Sequence, residues 1–143
     1  MDSVYQPARA GIFRVEDQRI KPVRKTEDSA GYDFFAPATV VIPAHKYVQF
    51  DTGVRVQMRK GFVLMLFIRS SLGRKGLTLT NSVGIVDADF RDTMQAFIMN
   101  NSDEDYTLYK GERYMQGIFT KFYPTIDDTA TGKRVGGIGS TGK

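Results

Sequence analysis

Apolar residues along this chain fall in short runs, rich in β-branched and aromatic side chains and bounded by Gly, Pro, Asp or Asn. That rhythm is the one expected of strands joined by tight turns in a sandwich or barrel. On this criterion segments 39–42, 47–50, 54–58, 62–68, 77–80, 93–99 and 115–122 read as strands. Gly53, Gly61, Gly76, Gly84 and Gly111 stand at or near their edges, where chain reversals need permissive backbone angles. No window keeps a 3.6-residue apolar period over a dozen positions, so no long amphipathic helix is predicted, and residues 70–74 read as a single helical turn. Segment 62–68 is apolar on both faces, which predicts a strand buried between layers or against another subunit. There is no internal repeat and no low-complexity segment. The expected fold class is all-β.

Beyond Tyr123-Pro124 the composition shifts to Asp, Thr, Gly and Lys, and five of the last twelve residues are Gly. This divides the chain into a β-rich body over 1–124 and a flexible arm over 125–143. The full length of 143 residues suits one domain, and fractions of 41% hydrophobic and 25% charged residues argue against overall disorder. With no cysteine, disulfides, thiolate metal sites and cysteine nucleophiles are excluded, and a reducing compartment is compatible. Met1 to Phe13 lacks the apolar run of a signal peptide, and no stretch approaches the roughly 20 apolar residues of a membrane span. The expectation is a soluble protein of the cytoplasm or another intracellular reducing compartment, with no membrane attachment.

A net charge of +4 suits an anionic partner, either nucleic acid or a nucleotide. The basic pairs Arg24-Lys25, Arg59-Lys60, Arg74-Lys75 and Lys133-Arg134 are scattered instead of forming one stripe, so charge alone does not choose. His45, the only histidine, follows Pro43-Ala44 in a predicted turn and reads as a surface residue.

Three internal stretches carry candidate chemistry. In Gly84-Ile85-Val86-Asp87-Ala88-Asp89-Phe90-Arg91 two acids stand two apart within an apolar hairpin-like segment. On a strand they would share a face and repel, unless a turn separates them or a cation compensates. Arg69-Ser70-Ser71-Leu72-Gly73 combines a guanidinium, two hydroxyls and a turn, which fits a phosphate cradle and equally a plain helix cap. Lys110-Gly111-Glu112-Arg113-Tyr114-Met115-Gln116 is a turn leading into a strand. The arm adds a fourth stretch, Arg134-Val135-Gly136-Gly137-Ile138-Gly139-Ser140-Thr141-Gly142. Its glycines let backbone N–H groups converge on phosphate oxygens, with Arg134 as a charged fork. It lacks the Gly-Lys-Ser/Thr ending and strand-to-helix setting of a P-loop.

Taken in order, with Ala30-Gly31-Tyr32-Asp33-Phe34-Phe35-Ala36 ahead of them, these segments resemble the five motifs of the trimeric dUTPase family. The likeness spans residues 26–142 and includes the connection Asp51-Thr52-Gly53-Val54. It implies a jelly-roll β fold and a homotrimer with active sites shared between chains. It also implies hydrolysis of dUTP to dUMP and pyrophosphate by water attack at the α-phosphorus. Mg²⁺ would be the cofactor, held chiefly by the triphosphate and waters and not directly by a protein ligand set.

The resemblance assigns Asp87 to orienting and deprotonating the water, with Asp33 as a supporting acid. Arg69, Ser70 and Gln116 match phosphate-contacting positions, with Ser71 beside them. Segment 84–90, including Gly84 and Val86, would read the uracil edge through its backbone, Asn81 through its side chain, and Phe90 would lie under the deoxyribose. Arg134, Ser140 and Thr141 match arm residues on the γ-phosphate; Gly139 lies among them, and Ile138 would cover the base.

Four positions depart from the family pattern: Phe90 for Tyr, Ile138 for Phe, Ser71 for Gly and Asp92 for Gly. Loss of the aromatic at 138 removes stacking and predicts weaker arm closure. The Arg-Ser-Ser-Leu spelling also resembles dCTP deaminase, whose catalytic Glu aligns with Phe97; segment 93–99 contains no carboxylate. A nucleotide-binding regulatory protein on the same fold is the third reading. The sequence requires no nucleic acid and supports no particular regulatory partner.

Overall fold

The computed structural model describes residues 7–135. Twelve strands carry nearly all the regular structure: β1 (Gly11–Val15), β2 (Val23–Arg24), β3 (Tyr32–Phe35), β4 (Val40–Ile42), β5 (Tyr47–Asp51), β6 (Val54–Met58), β7 (Phe62–Ile68), β8 (Leu77–Leu79), β9 (Gly84–Val86), β10 (Gln95–Asn100), β11 (Tyr106–Leu108) and β12 (Arg113–Lys121). One helical turn, α1 (Ser70–Gly73), follows β7, and a 3-10 turn spans Gln18–Ile20. Every pairing is antiparallel, in sheets ordered β1-β6, β5-β10-β8, β11-β4 and β2-β3-β12-β7-β9.

The sheets enclose one core. Phe34, Ile42, Leu64, Ile98, Leu108 and Tyr114, from six strands, are all fully buried within it. Alternation explains the inward faces: in β6, Val54, Val56 and Met58 are buried while Arg55 and Gln57 are exposed. The two buried polar residues among those described are both satisfied. Thr52 donates to the carbonyl of Met94 at 2.7 Å, and Asn100 donates to those of Ile42 and Glu104 at 2.9 and 2.8 Å.

The periodic reading located β4 to β8, β10 and β12 within two residues at each end, β6 and β7 with no offset, and α1, read over 70–74, at 70–73. It left out β1, β2 and β11, and β3 and β9 were read only as motif segments. β1 opens on Gly11 and exposes Ile12, and β11 is three residues long beside an acidic loop. Such strands are held by their partners, Val54–Met58 and Val40–Ile42, more than by their own pattern.

Four of the five predicted edge glycines take positive φ: Gly53, Gly61, Gly76 and Gly111. Gly84 does not. It lies in β9 against Leu66, and a Cβ there would stand 3.1 Å from Leu66 Cβ, so close packing, not chain reversal, is its requirement.

The strand β7 has the predicted two apolar faces. Leu64 and Leu66 are buried in the core, while Val63, Met65 and Phe67 are half-buried on the opposite face. Cross-strand register continues that outer face through Ile85, Met65 and Ile118, and through Phe67, Gln116 and Asp33. Residues 122–135 form no strand or helix. Among the described residues, no helix is long and apolar enough to cross a membrane.

Candidate active site

The strand β9 is the edge of its sheet, paired on one side with β7, and the chain leaves it through a turn closed by the N–H of Phe90 to the carbonyl of Asp87 at 3.1 Å. Both acids of the hairpin therefore stand on a turn and do not share one strand face. Phe90 folds inward at the end of this turn and is 7% exposed. Ser82 adopts φ 63° in the turn before β9, which aims Asn81 and the strand toward the same cleft.

That cleft, of about 190 Å³, is lined by Asn81, Gly84, Ile85, Val86, Asp87 and Phe90, with Leu66, Met94, Gln95, Phe97 and Arg134 completing its walls. Asp87 also borders a wider groove of about 850 Å³, whose lining includes Lys60, Lys133 and Arg134. The carboxylate thus stands at the boundary between a small pocket lined by both polar and apolar groups and an open groove lined by Lys60, Lys133, Arg134 and Asp89.

The cation that reconciles Asp87 with Asp89 comes from the arm. Arg134 donates through Nη2 to Asp87 Oδ2 at 2.5 Å and through Nε to Asp89 Oδ1 at 2.8 Å. Its hydrogen bond to Asp89 outweighs desolvation and holds that carboxyl below the usual aspartate range; the same bond raises the guanidinium pKa.

The remaining predicted residues form a second group. Register sets Gln116 opposite both Asp33 and Phe67, and Arg113 stands 3.6 Å from Asp33. Arg69 continues from β7, its N–H bonded to the carbonyl of Tyr114 at 2.9 Å and its Nη1 donating to Ser71 Oγ at 3.2 Å; Ser70 beside it is exposed. Val86 pairs with Leu64 and Leu64 with Phe119, so Asp87 is level with Thr120, four residues from Gln116 and two strands away. That offset places Asp87 and Gln116 on the order of 15 Å apart, and Arg69 farther, roughly 20 Å. The predicted site residues of one chain thus fall into two separated groups. Ile138, Gly139, Ser140 and Thr141 lie outside the described residues.

Sequence reading missed Leu66, Met94, Gln95 and Phe97 as lining residues, and Asp89 as the second seat of Arg134. Gln95 and Phe97 are two apart on β10, and that period would have placed them on one face. Among the described residues no three His, Cys, Asp or Glu side chains are grouped to hold a metal.

Fold and cleft together define a jelly-roll-like β protein with a small-ligand site beside a carboxylate. A family model described as dUTPase matches residues 17–142. The deoxyuridine 5'-triphosphate nucleotidohydrolase of Lactococcus lactis is 41% identical over 130 residues, covering 85% of this chain and 87% of the relative. The enzyme of that name from Helicobacter pylori strain J99 is 32% identical over 139 residues, covering 92% and 94%. The crystal structure of dUTPase from Streptococcus mutans superposes with a TM-score of 0.74 at 37% identity, over 80% of this chain and 98% of that one. The chain belongs to the dUTPase family.

Proposed function

We propose that this protein hydrolyses dUTP to dUMP and pyrophosphate, with Asp87 as the general base for water attack at the α-phosphorus. The observation that carries the reading is the position of Asp87, between a pocket of about 190 Å³ and the groove lined by Lys60, Lys133 and Arg134. Gly84, Ile85 and Val86 line the pocket consecutively on an edge strand, so backbone N–H and C=O groups are available to a planar ring with alternating donors and acceptors. A site paired to uracil would leave polar groups unmet with cytosine, which is costly.

In this mechanism the ring enters beside β9, Phe90 packs under the sugar, and the phosphates extend past Asp87. The carboxylate accepts a hydrogen bond from water, aligns it with phosphorus and takes its proton, worth about 10²–10⁴-fold. Arg69, Ser70 and Gln116 would hold the phosphates, with Asp33 as their neighbour and Arg134 closing from the arm over 125–143, together with Ser140 and Thr141. Mg²⁺ suits such a substrate, since it retains several waters and would be held chiefly by the triphosphate, with no direct protein ligand. When bound it neutralises charge on the phosphate oxygens.

The separation of these two groups supports a shared site in a homotrimer: Gln116 and Asp33 adjoin the apolar outer face of Met65, Ile85 and Ile118, a surface suited to a second chain. Phe97 weighs against deamination, because it lines the cleft at the position where the deaminase pattern needs Glu. The test is incubation with dUTP, dCTP and UTP in Mg²⁺, following pyrophosphate and nucleotide products. Pyrophosphate and dUMP from dUTP alone are expected; dUTP formed from dCTP, or no turnover of dUTP, overturns the reading.

A further inference from the structure

Arg134 touches three residues of one turn. Beyond its bonds to Asp87 and Asp89, its guanidinium carbon lies 5.7 Å from the centre of the Phe90 ring. Its side chain is only 10% exposed, although residues 122–135 form no strand or helix. The seat is one of the contacts that hold this part of the chain. The side chain of Asp89 is 60% exposed and meets the guanidinium at Nε, the nitrogen next to its stem.

We infer that Asp89 is a positioning residue that parks Arg134 on Asp87 while the site is empty, so that the arm engages a triphosphate by exchanging carboxylate oxygens for phosphate oxygens. This rests on the reading of Asp87 as the water-orienting group and Arg134 as a phosphate ligand. Two carboxylates two residues apart repel, and one guanidinium relieves both. A triphosphate presents the same kind of acceptor with more charge, so it can draw the guanidinium away. Departure of Nη2 then uncovers Asp87 as the phosphates arrive. The Nε bond to Asp89 opposes that departure, because it has to stretch or break as the fork moves.

The test is Asp89→Asn, which keeps the shape of an exposed side chain and weakens the seat. With steady-state kinetics on dUTP, KM should fall about two- to fivefold, the range expected for an exposed ion pair, while kcat stays within about twofold. A second measurement needs no turnover. In nucleotide-free protein treated briefly with trypsin, the ratio of cleavage after Arg134 to cleavage after Lys133 should rise about twofold or more in the variant. Lys133 serves as the internal reference, and Asp92→Asn, which removes the same charge three residues away, should leave both readouts at wild-type values. A rise in KM, or an unchanged cleavage ratio, overturns the proposal. Were dUTP not a substrate at all, the cleavage ratio would still decide whether Asp89 seats the arm.

Discussion

Gly31 lies against Gln116 so closely that a Cβ on Gly31 would overlap the Oε1 of the carboxamide. Gly31 therefore shapes the position of Gln116, the proposed phosphate contact, in two segments that β3 and β12 bring side by side. Gly31→Ala should push the carboxamide aside. The nearest obstructing atom ends a flexible chain, so stability should change by less than about 1 kcal/mol in a thermal melt. If Gln116 holds a phosphate oxygen, losing that hydrogen bond should cost about 1–2 kcal/mol, a five- to thirtyfold fall in kcat/KM. An unaltered kcat/KM would remove Gln116 from the phosphate site.

Asp87→Asn keeps the side chain's shape and removes its basicity. The expected result is a fall in kcat of about 10²–10⁴-fold. Affinity for dUTP, measured by titration calorimetry, should stay within about an order of magnitude, because the carboxylate acts on water more than on the bound nucleotide. Near-wild-type turnover would take the general base away from Asp87.

How far the sequence could be read depends on where the determining contacts lie. Segment 62–68 was legible to the residue, because a strand buried in the core on one side and half-covered on the other has to be apolar throughout. The repulsion of Asp87 and Asp89 was also legible, as a demand for a turn or a cation, and both are present. What local pattern could not supply was that Arg134, 45 residues beyond Asp89, is that cation. Gly84 misled for a related reason: a glycine at a strand edge suggests a turn, and only the three-dimensional approach of Leu66 gives its actual requirement. The far wall of the cleft comes from Met94, Gln95 and Phe97, whose role depends on β10 lying in a different sheet from β9.

Tyr114 is fully buried, its ring centre 5.3 Å from that of Phe50, and its hydroxyl has no hydrogen-bond partner among the described residues. Burial first, and then the charge of Asp51, push its pKa far up, so the phenol stays neutral. An unpaired buried hydroxyl forfeits its bonds to water without replacement, a penalty of about 1–3 kcal/mol. Tyr114→Phe removes the polar atom and keeps the ring. The variant should be as stable as the parent or up to about 1 kcal/mol more stable by urea denaturation at neutral pH. Destabilisation beyond that margin would mean the hydroxyl has a partner in the folded protein.

Tyr106 and Glu112 tie β11 to the turn that precedes β12. The phenol donates to Glu112 Oε2, while Glu112 Oε1 accepts the backbone N–H of Tyr109 at 3.1 Å. Burial, and then the carboxylate, raise the Tyr106 pKa from 10.0 to about 12. The folded protein thus holds its phenolic proton to higher pH than the unfolded chain, and stability must fall with pH wherever the folded state binds more protons. The contribution of this group is fully present below pH 10 and is lost as pH rises through about 12. Tyr106→Phe has no proton to lose, so the loss of stability between pH 10 and 12 should be shallower than in the parent, with Tyr114 still contributing in the same direction. Chemical denaturation at half-unit steps across that window measures both slopes. Equal slopes would show that the Tyr106–Glu112 bond does not hold the proton.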